Sequence, residues 1–164
     1  MEKREEEMKI ERITNPLFLG HLAPELDTFV KKTKPVGVTY ETLYAYLVNS
    51  IQMGGNISEF WVVLKDRKPV AFAHWFVMPL PCTGKVCCDY IASWNRKREP
   101  VEMLLKKFIK FGKKNRCPIY QGYAINETLF RVWRKAASKL NLDVQKTDIV
   151  NFVGREKWET AAQA

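Results

Sequence analysis

The turn Ser93-Trp94-Asn95-Arg96-Lys97-Arg98-Glu99 carries three adjacent cations, and it joins two stretches of opposite pattern. Ahead of it, Val86-Cys87-Cys88-Asp89-Tyr90-Ile91 reads as a strand; behind it a helix opens at Pro100. A strand feeding a helix through a short basic turn aims backbone donors at one spot, an arrangement that attracts phosphate. Asp89 is the second chemical feature, because a carboxylate at the centre of a strand is costly unless it is paired. His74, inside the run Val70–Met78, is an isolated imidazole that suits a structural role or that of a base. Cys87 and Cys88 are adjacent on one strand and point to opposite faces, so they cannot easily share a metal. With two histidines and no C-x-x-C pair, a zinc site is not expected.

These residues need a scaffold, and the patterning supplies one. After Pro100, which suits a first helical position, Val101, Leu104, Leu105, Phe108 and Ile109 recur at helical spacing. The residue before a proline avoids the α region, so Glu99 is expected to be the last non-helical residue. Met8–Ile13 alternates as a first strand. Asn15-Pro16 opens a helical region with Leu22, Leu26, Phe29 and Val30, which Lys34-Pro35-Val36-Gly37 breaks. Thr39 caps a second helix, with Leu43, Tyr44, Leu47 and Ile51 on its apolar side and Gly54-Gly55 at its end. Phe60–Leu64 and Val70–Met78 form a hairpin around Asp66-Arg67-Lys68. Ile119–Ile125 is a further strand, Asn126 caps a helix bearing Leu129, Val132, Trp133, Ala136 and Leu140, and Val144–Val153 is a last strand.

The expected architecture is α/β: one three-layer α/β/α domain with a mixed central sheet of about six to seven strands and helices on both faces. It spans residues 8–156, between a charged, frayed segment 1–7 and a charged tail 157–164. The 164-residue length supports one domain with its own core. No apolar run is long enough to span a membrane and the N-terminus lacks a signal segment, which points to the cytoplasm. The net charge of +9 is concentrated between Arg96 and Arg116. Lys106, Lys110, Lys113 and Lys114 on one helix face suit an acidic protein partner. A nucleic acid is the weaker option, for no recognition motif accompanies the charge.

The element order resembles the GCN5-related N-acetyltransferases, the GNAT superfamily. The family motif V-x-P-x-x-[RQ]-x-x-G-x-[GA]-x-x-L-L can be laid on this chain without a gap. It places Ile91, Ser93, Arg96, Leu104 and Leu105 at matching positions, and a second signature falls on Asn126, Leu129, Val132, Trp133 and Lys135. The resemblance implies an acyl-CoA site. In it Ile91 and Ser93 flank the pantetheine arm, Arg96, Lys97 and Arg98 hold phosphates, and Asn126 belongs to the second motif. Asp89 is then the candidate base and Tyr123 or Tyr120 a candidate acid, since Trp133 stands where many members have a proton-donating tyrosine. Indole donates a hydrogen bond but does not titrate.

Both motif glycines are missing, with Glu99 and Val101 in their places, and both side chains are expected to crowd the phosphates. One like-charge pair at about 4 Å costs roughly 4 kcal/mol at an effective dielectric near 20. Pro100 also removes one amide donor. These departures favour a GNAT-fold binding or assembly module, non-catalytic or weakly active, of the kind found among phage and virion components. The alternative is an acetyl-CoA-dependent N-acetyltransferase acting on an amine.

Overall fold

The hairpin of β2 (Ser58–Lys65) and β3 (Lys68–Val77) lies at the middle of the sheet. Its two-residue turn places Asp66 and Arg67 at φ of 50° and 63°, the left-handed pair that matches the twist of the flanking strands. A computed structural model of the protein describes residues 8–34, 37–79, 84–94, 98–122 and 127–142. Among these the sheet has five strands in the order β1-β2-β3-β4-β5, with β1 at Met8–Ile13, β4 at Lys85–Ser93 and β5 at Ile119–Gly122. The first four pair antiparallel and β5 joins β4 in parallel, so the sheet is mixed as the patterning implies. The expected sixth strand, Val144–Val153, lies outside the described residues.

Helices cover both faces. After a 3-10 segment (Pro16–Leu22), opened by Asn15 accepting the Leu17 N–H at 3.0 Å, come α1 (Ala23–Thr33) and α2 (Tyr40–Met53). Thr39 caps α2 in a reciprocal exchange with Thr42, and Gly54 at φ 82° ends it. Leu19, Leu26, Phe29, Leu43 and Leu47 from this layer bury against Phe60, Val62 and Phe72 of the sheet. The opposite face carries α3 (Glu99–Lys114) and α4 (Glu127–Lys139). There Leu104, Leu105, Phe108 and Phe111 pack on Ala71, Trp75 and Val86, each side chain contributing about 1.5–3 kcal/mol of burial. Gly112 is required at one close approach, because a side chain there would collide with the ring of Tyr120.

Two expectations need correction. Glu99 is the first residue of α3, not the last before it, and Arg98 ahead of it is already helical at φ −76°, ψ −28°. The bias against α before proline yields to anchoring: Pro100 and Val101 are buried, and Arg98 reaches Glu102 at 2.7 Å. Ser93 belongs to β4 rather than to the turn, since the strand runs on until Trp94 donates to the Val70 carbonyl at 2.9 Å.

Candidate functional site

Asp89 stands at an irregularity in β4. On one side the antiparallel register with β3 shifts: Tyr90 faces His74 and Cys88 faces Trp75, so Asp89 is the extra residue of a bulge. On the other side, β4 pairs Lys85–Cys88 in parallel with Ile119–Gly122 of β5. A bulge re-aims a side chain and bends its strand. Here it turns a carboxylate toward α2.

Four groups meet there. Asp89 Oδ1 lies 2.6 Å from His74 Nδ1 and accepts the Tyr90 N–H at 3.0 Å, while Oδ2 accepts the Tyr46 hydroxyl at 2.8 Å. Behind the imidazole, Nε2 lies 2.5 Å from Ser50 Oγ. Ser50 Oγ is in turn 2.6 Å from Ser58 Oγ, and Ser58 donates to the Ser50 carbonyl at 2.8 Å. The burial is graded. His74 is fully buried, Ser50 and Ser58 nearly so, the Asp89 side chain is 17% exposed, and Tyr46 is 40% exposed at the rim. The Tyr46 ring stands edge-on to His74 with centroids 5.2 Å apart and to Tyr90 at 6.0 Å.

Burial, and after it the neighbouring Asp89 carboxylate, pushes the Tyr46 phenol well above its usual range. The same two causes raise the Tyr90 phenol. Tyr46 therefore stays a neutral donor over the working pH range. Burial raises the Cys88 thiol strongly, with Asp89 and Cys87 adding to it, which removes Cys88 as a nucleophile.

The structure thus joins Asp89 and His74, which the sequence presents as separate candidates. It adds Tyr46, Ser50 and Ser58, which sequence reasoning missed. A signal for Ser50 existed: it occupies a buried position of α2 in line with Leu43 and Leu47, where the helical period asks for an apolar residue. Ile91 is buried in the α3-side core, leaving its backbone as the available part, and Ser93 is half-buried at the end of β4. Arg98 is exposed and bound to Glu102. Tyr123, Arg96, Lys97 and Asn126 lie outside the described residues. The Tyr120 hydroxyl donates to the Ile109 carbonyl at 3.1 Å.

Of the two side chains expected to crowd the phosphates, Val101 faces the core and is 2% exposed, and Glu99 is exposed at the start of α3. Phe72 packs on the α1 and α2 face of the sheet against Phe29, Phe60 and Trp94. Trp133 lies on the β5 side, where a Cβ on Gly122 would sit 3.3 Å from its ring. Its indole nitrogen is buried with no hydrogen-bond partner among the described residues. Lys106, Lys110, Lys113 and Lys114 are exposed on α3.

Five strands in this order with helices on both faces form an α/β fold that solved acetyltransferases share. No family model and no curated protein matches the chain. Among solved structures it is similar to an aminoglycoside acetyltransferase from an uncultured soil metagenomic sample in complex with trehalose, with a TM-score of 0.68 at 15% identity, covering 94% of this chain and 100% of the other. It is also similar to aminoglycoside N-acetyltransferase AAC(6')-Iy in complex with CoA, with a TM-score of 0.67, 17% identity and 96% and 99% coverage. A predicted acetyltransferase with acetyl-CoA from Clostridium acetobutylicum gives a TM-score of 0.67, 14% identity and 93% and 98% coverage. At these identities the likeness is one of fold. No helix among the described residues is long and apolar enough to cross a membrane.

Proposed function

We propose that the protein is an acetyl-CoA-dependent N-acetyltransferase acting on an amine. The observation that carries this reading is the bulged carboxylate, Asp89, hydrogen-bonded to a buried imidazole and a rim tyrosine. A carboxylate so placed is costly to build and positions little else in the fold. The solved neighbours that carry CoA or acetyl-CoA over nearly the whole chain support the same reading. They give the assembly-module reading no support.

For an acyl-CoA beside β4, the Trp133 N–H, buried with no hydrogen-bond partner among the described residues, would be a donor to an amide or the thioester of the pantetheine arm. The backbone of Ile91 and Ser93 would flank that arm. Arg98, with Arg96 and Lys97, would meet the phosphates. Bound there, acetyl-CoA supplies an electrophilic thioester carbonyl. Asp89 accepts the ammonium proton of the acceptor, leaving the nitrogen its electron pair for attack. Tyr46, held neutral, orients the carboxylate and closes its outer side, and His74 fixes its inner side.

Calorimetry with acetyl-CoA and CoA, followed by thiol-release assays over a panel of primary amines, tests the proposal. Binding at micromolar ligand with turnover is expected; no binding at millimolar ligand would overturn it. Glu99→Gln is expected to tighten CoA by about tenfold through the loss of one like charge near the phosphates.

A further inference from the structure

The contacts behind Asp89 allow a count of hydrogens. Ser58 has one hydroxyl proton, and it is committed to the Ser50 carbonyl at 2.8 Å. The 2.6 Å contact between the two serine oxygens then needs the Ser50 proton. With both hydroxyl protons used, the 2.5 Å contact from Ser50 Oγ to His74 Nε2 needs a proton on the ring nitrogen. Nδ1, 2.6 Å from an ionised Asp89, needs one as well. From this we infer that His74 is held as an imidazolium by Ser50 and Ser58, a positioning residue whose charge sets how readily Asp89 takes up a proton.

The alternative arrangement has a cost that can be named. With Nε2 bare, Ser50 turns its proton to the ring and Ser58 turns its own to Ser50. The buried Ser50 carbonyl then loses the Ser58 hydroxyl. Ser50 and Ser58 are 6% and 5% exposed and His74 is fully buried, so the interior must supply these partners. Among the described residues, the titratable groups near the pair are Tyr46 from α2 and Tyr90, Cys87 and Cys88 from β4; β2 offers the Ser58 hydroxyl and β3 the stacked ring of Phe76. None of these is a cation, so the imidazolium is the charge that balances Asp89. A proton moved from Nδ1 onto Asp89 leaves the count unchanged and Nε2 still protonated.

One consequence rests on the proposed activity. While Nε2 holds its proton, the pair is neutral overall and Asp89 is a poor base. When that proton leaves, the two hydroxyls turn over, the pair becomes an anion, and Asp89 accepts the acceptor's proton: the N–H bond breaks, an O–H bond forms on Asp89, and the electron pair stays on nitrogen. Acetyl transfer should therefore rise with pH as the Nε2 proton is lost.

The test uses the full chain, labelled with nitrogen-15 and free of ligand. The protein has two histidines, and the exposed His21 is assigned with His21→Gln. At neutral pH both ring nitrogens of His74 are expected at imidazolium shifts; a bare Nε2 would overturn the inference without touching the proposed activity. In Ser58→Ala the Ser50 proton is free to turn to the ring, so Nε2 should lose its proton at lower pH than in the wild type. The rising limb of the acetyl-transfer profile should move the same way, and Ser58→Thr should restore both. A titration unmoved by Ser58→Ala in a folded protein would overturn the inference. An imidazolium in a protein that binds no acetyl-CoA would sink the proposed activity alone.

Discussion

Two carboxylates sit in this sheet with few contacts to water, and they contrast sharply. Glu59 on β2 is 8% exposed and is held by the Trp61 indole at 2.8 Å, the Trp75 indole at 3.3 Å and Arg12 at 3.4 Å. Indole and guanidinium do not give up protons in the working range, so Glu59 is an anchor that joins β1, β2 and β3. Asp89 on β4 is held instead by a phenol and an imidazole, and its side chain keeps 17% of its surface open. The same functional group is thus inert in one place and chemically poised in the other. Partners and access make the difference, not burial alone.

The contrast can be broken by exchanging what each carboxylate does. Asp89→Asn keeps the shape and loses the base; acetyl transfer should fall by about 10²–10⁴-fold while the unfolding midpoint moves little. An Asp89→Asn variant as active as wild type would place Asp89 with Glu59 among the anchors. Glu59→Ala should do the reverse, costing about 3 kcal/mol of stability by leaving Arg12 and two indoles unpaired, with kcat unchanged in the folded fraction. Urea unfolding read at constant m-value checks it.

Tyr46→Phe sharpens the comparison at the rim. Loss of one donor to an ionised carboxylate should lower acetyl transfer about tenfold. The phenol is raised above its ordinary value of 10.0, so the folded state holds this proton more tightly than the unfolded chain. Its contribution to stability is whole below that value and declines as the pH rises beyond it. Alkaline unfolding curves should be less steep in the Phe variant; identical curves would remove Tyr46 from the network. The smallest effect is expected at Glu102, lowered from 4.5 first by the Lys139 hydrogen bond, with Lys139 at 3.1 Å and Arg98 at 2.7 Å. That stabilisation is present above pH 4.5 and is lost as the pH falls through the lowered value. Lys139→Met should cost less than about 1 kcal/mol near neutrality and flatten the acid limb, measured by thermal unfolding at several pH values.

Much of the scaffold was legible. Thr39, Gly54, the Asp66-Arg67 turn and the apolar stripe of α3 are local signals, each read within a few residues, and each lands where its pattern says. The start of α3 was misplaced by one residue because a local bias at Glu99 competes with burial of Pro100 and Val101, which only the packed sheet supplies. Val101 was misread for the same reason, since a motif position does not say which way its side chain faces.

The site was legible as a question only. A carboxylate at position 89 inside a β-rich run and a serine at 50 in an apolar stripe both say, from sequence alone, that something must satisfy them. Which groups do so was decided by the fold. Tyr46 and Asp89 are 43 residues apart and His74 lies 15 before Asp89. They meet because a bulge adds one residue to β4 and α2 crosses that face of the sheet. Hydrophobic periodicity determines elements because it acts between neighbours in the chain. A hydrogen-bond network drawn from four elements exists only after packing has brought their donors within about 3 Å of one another.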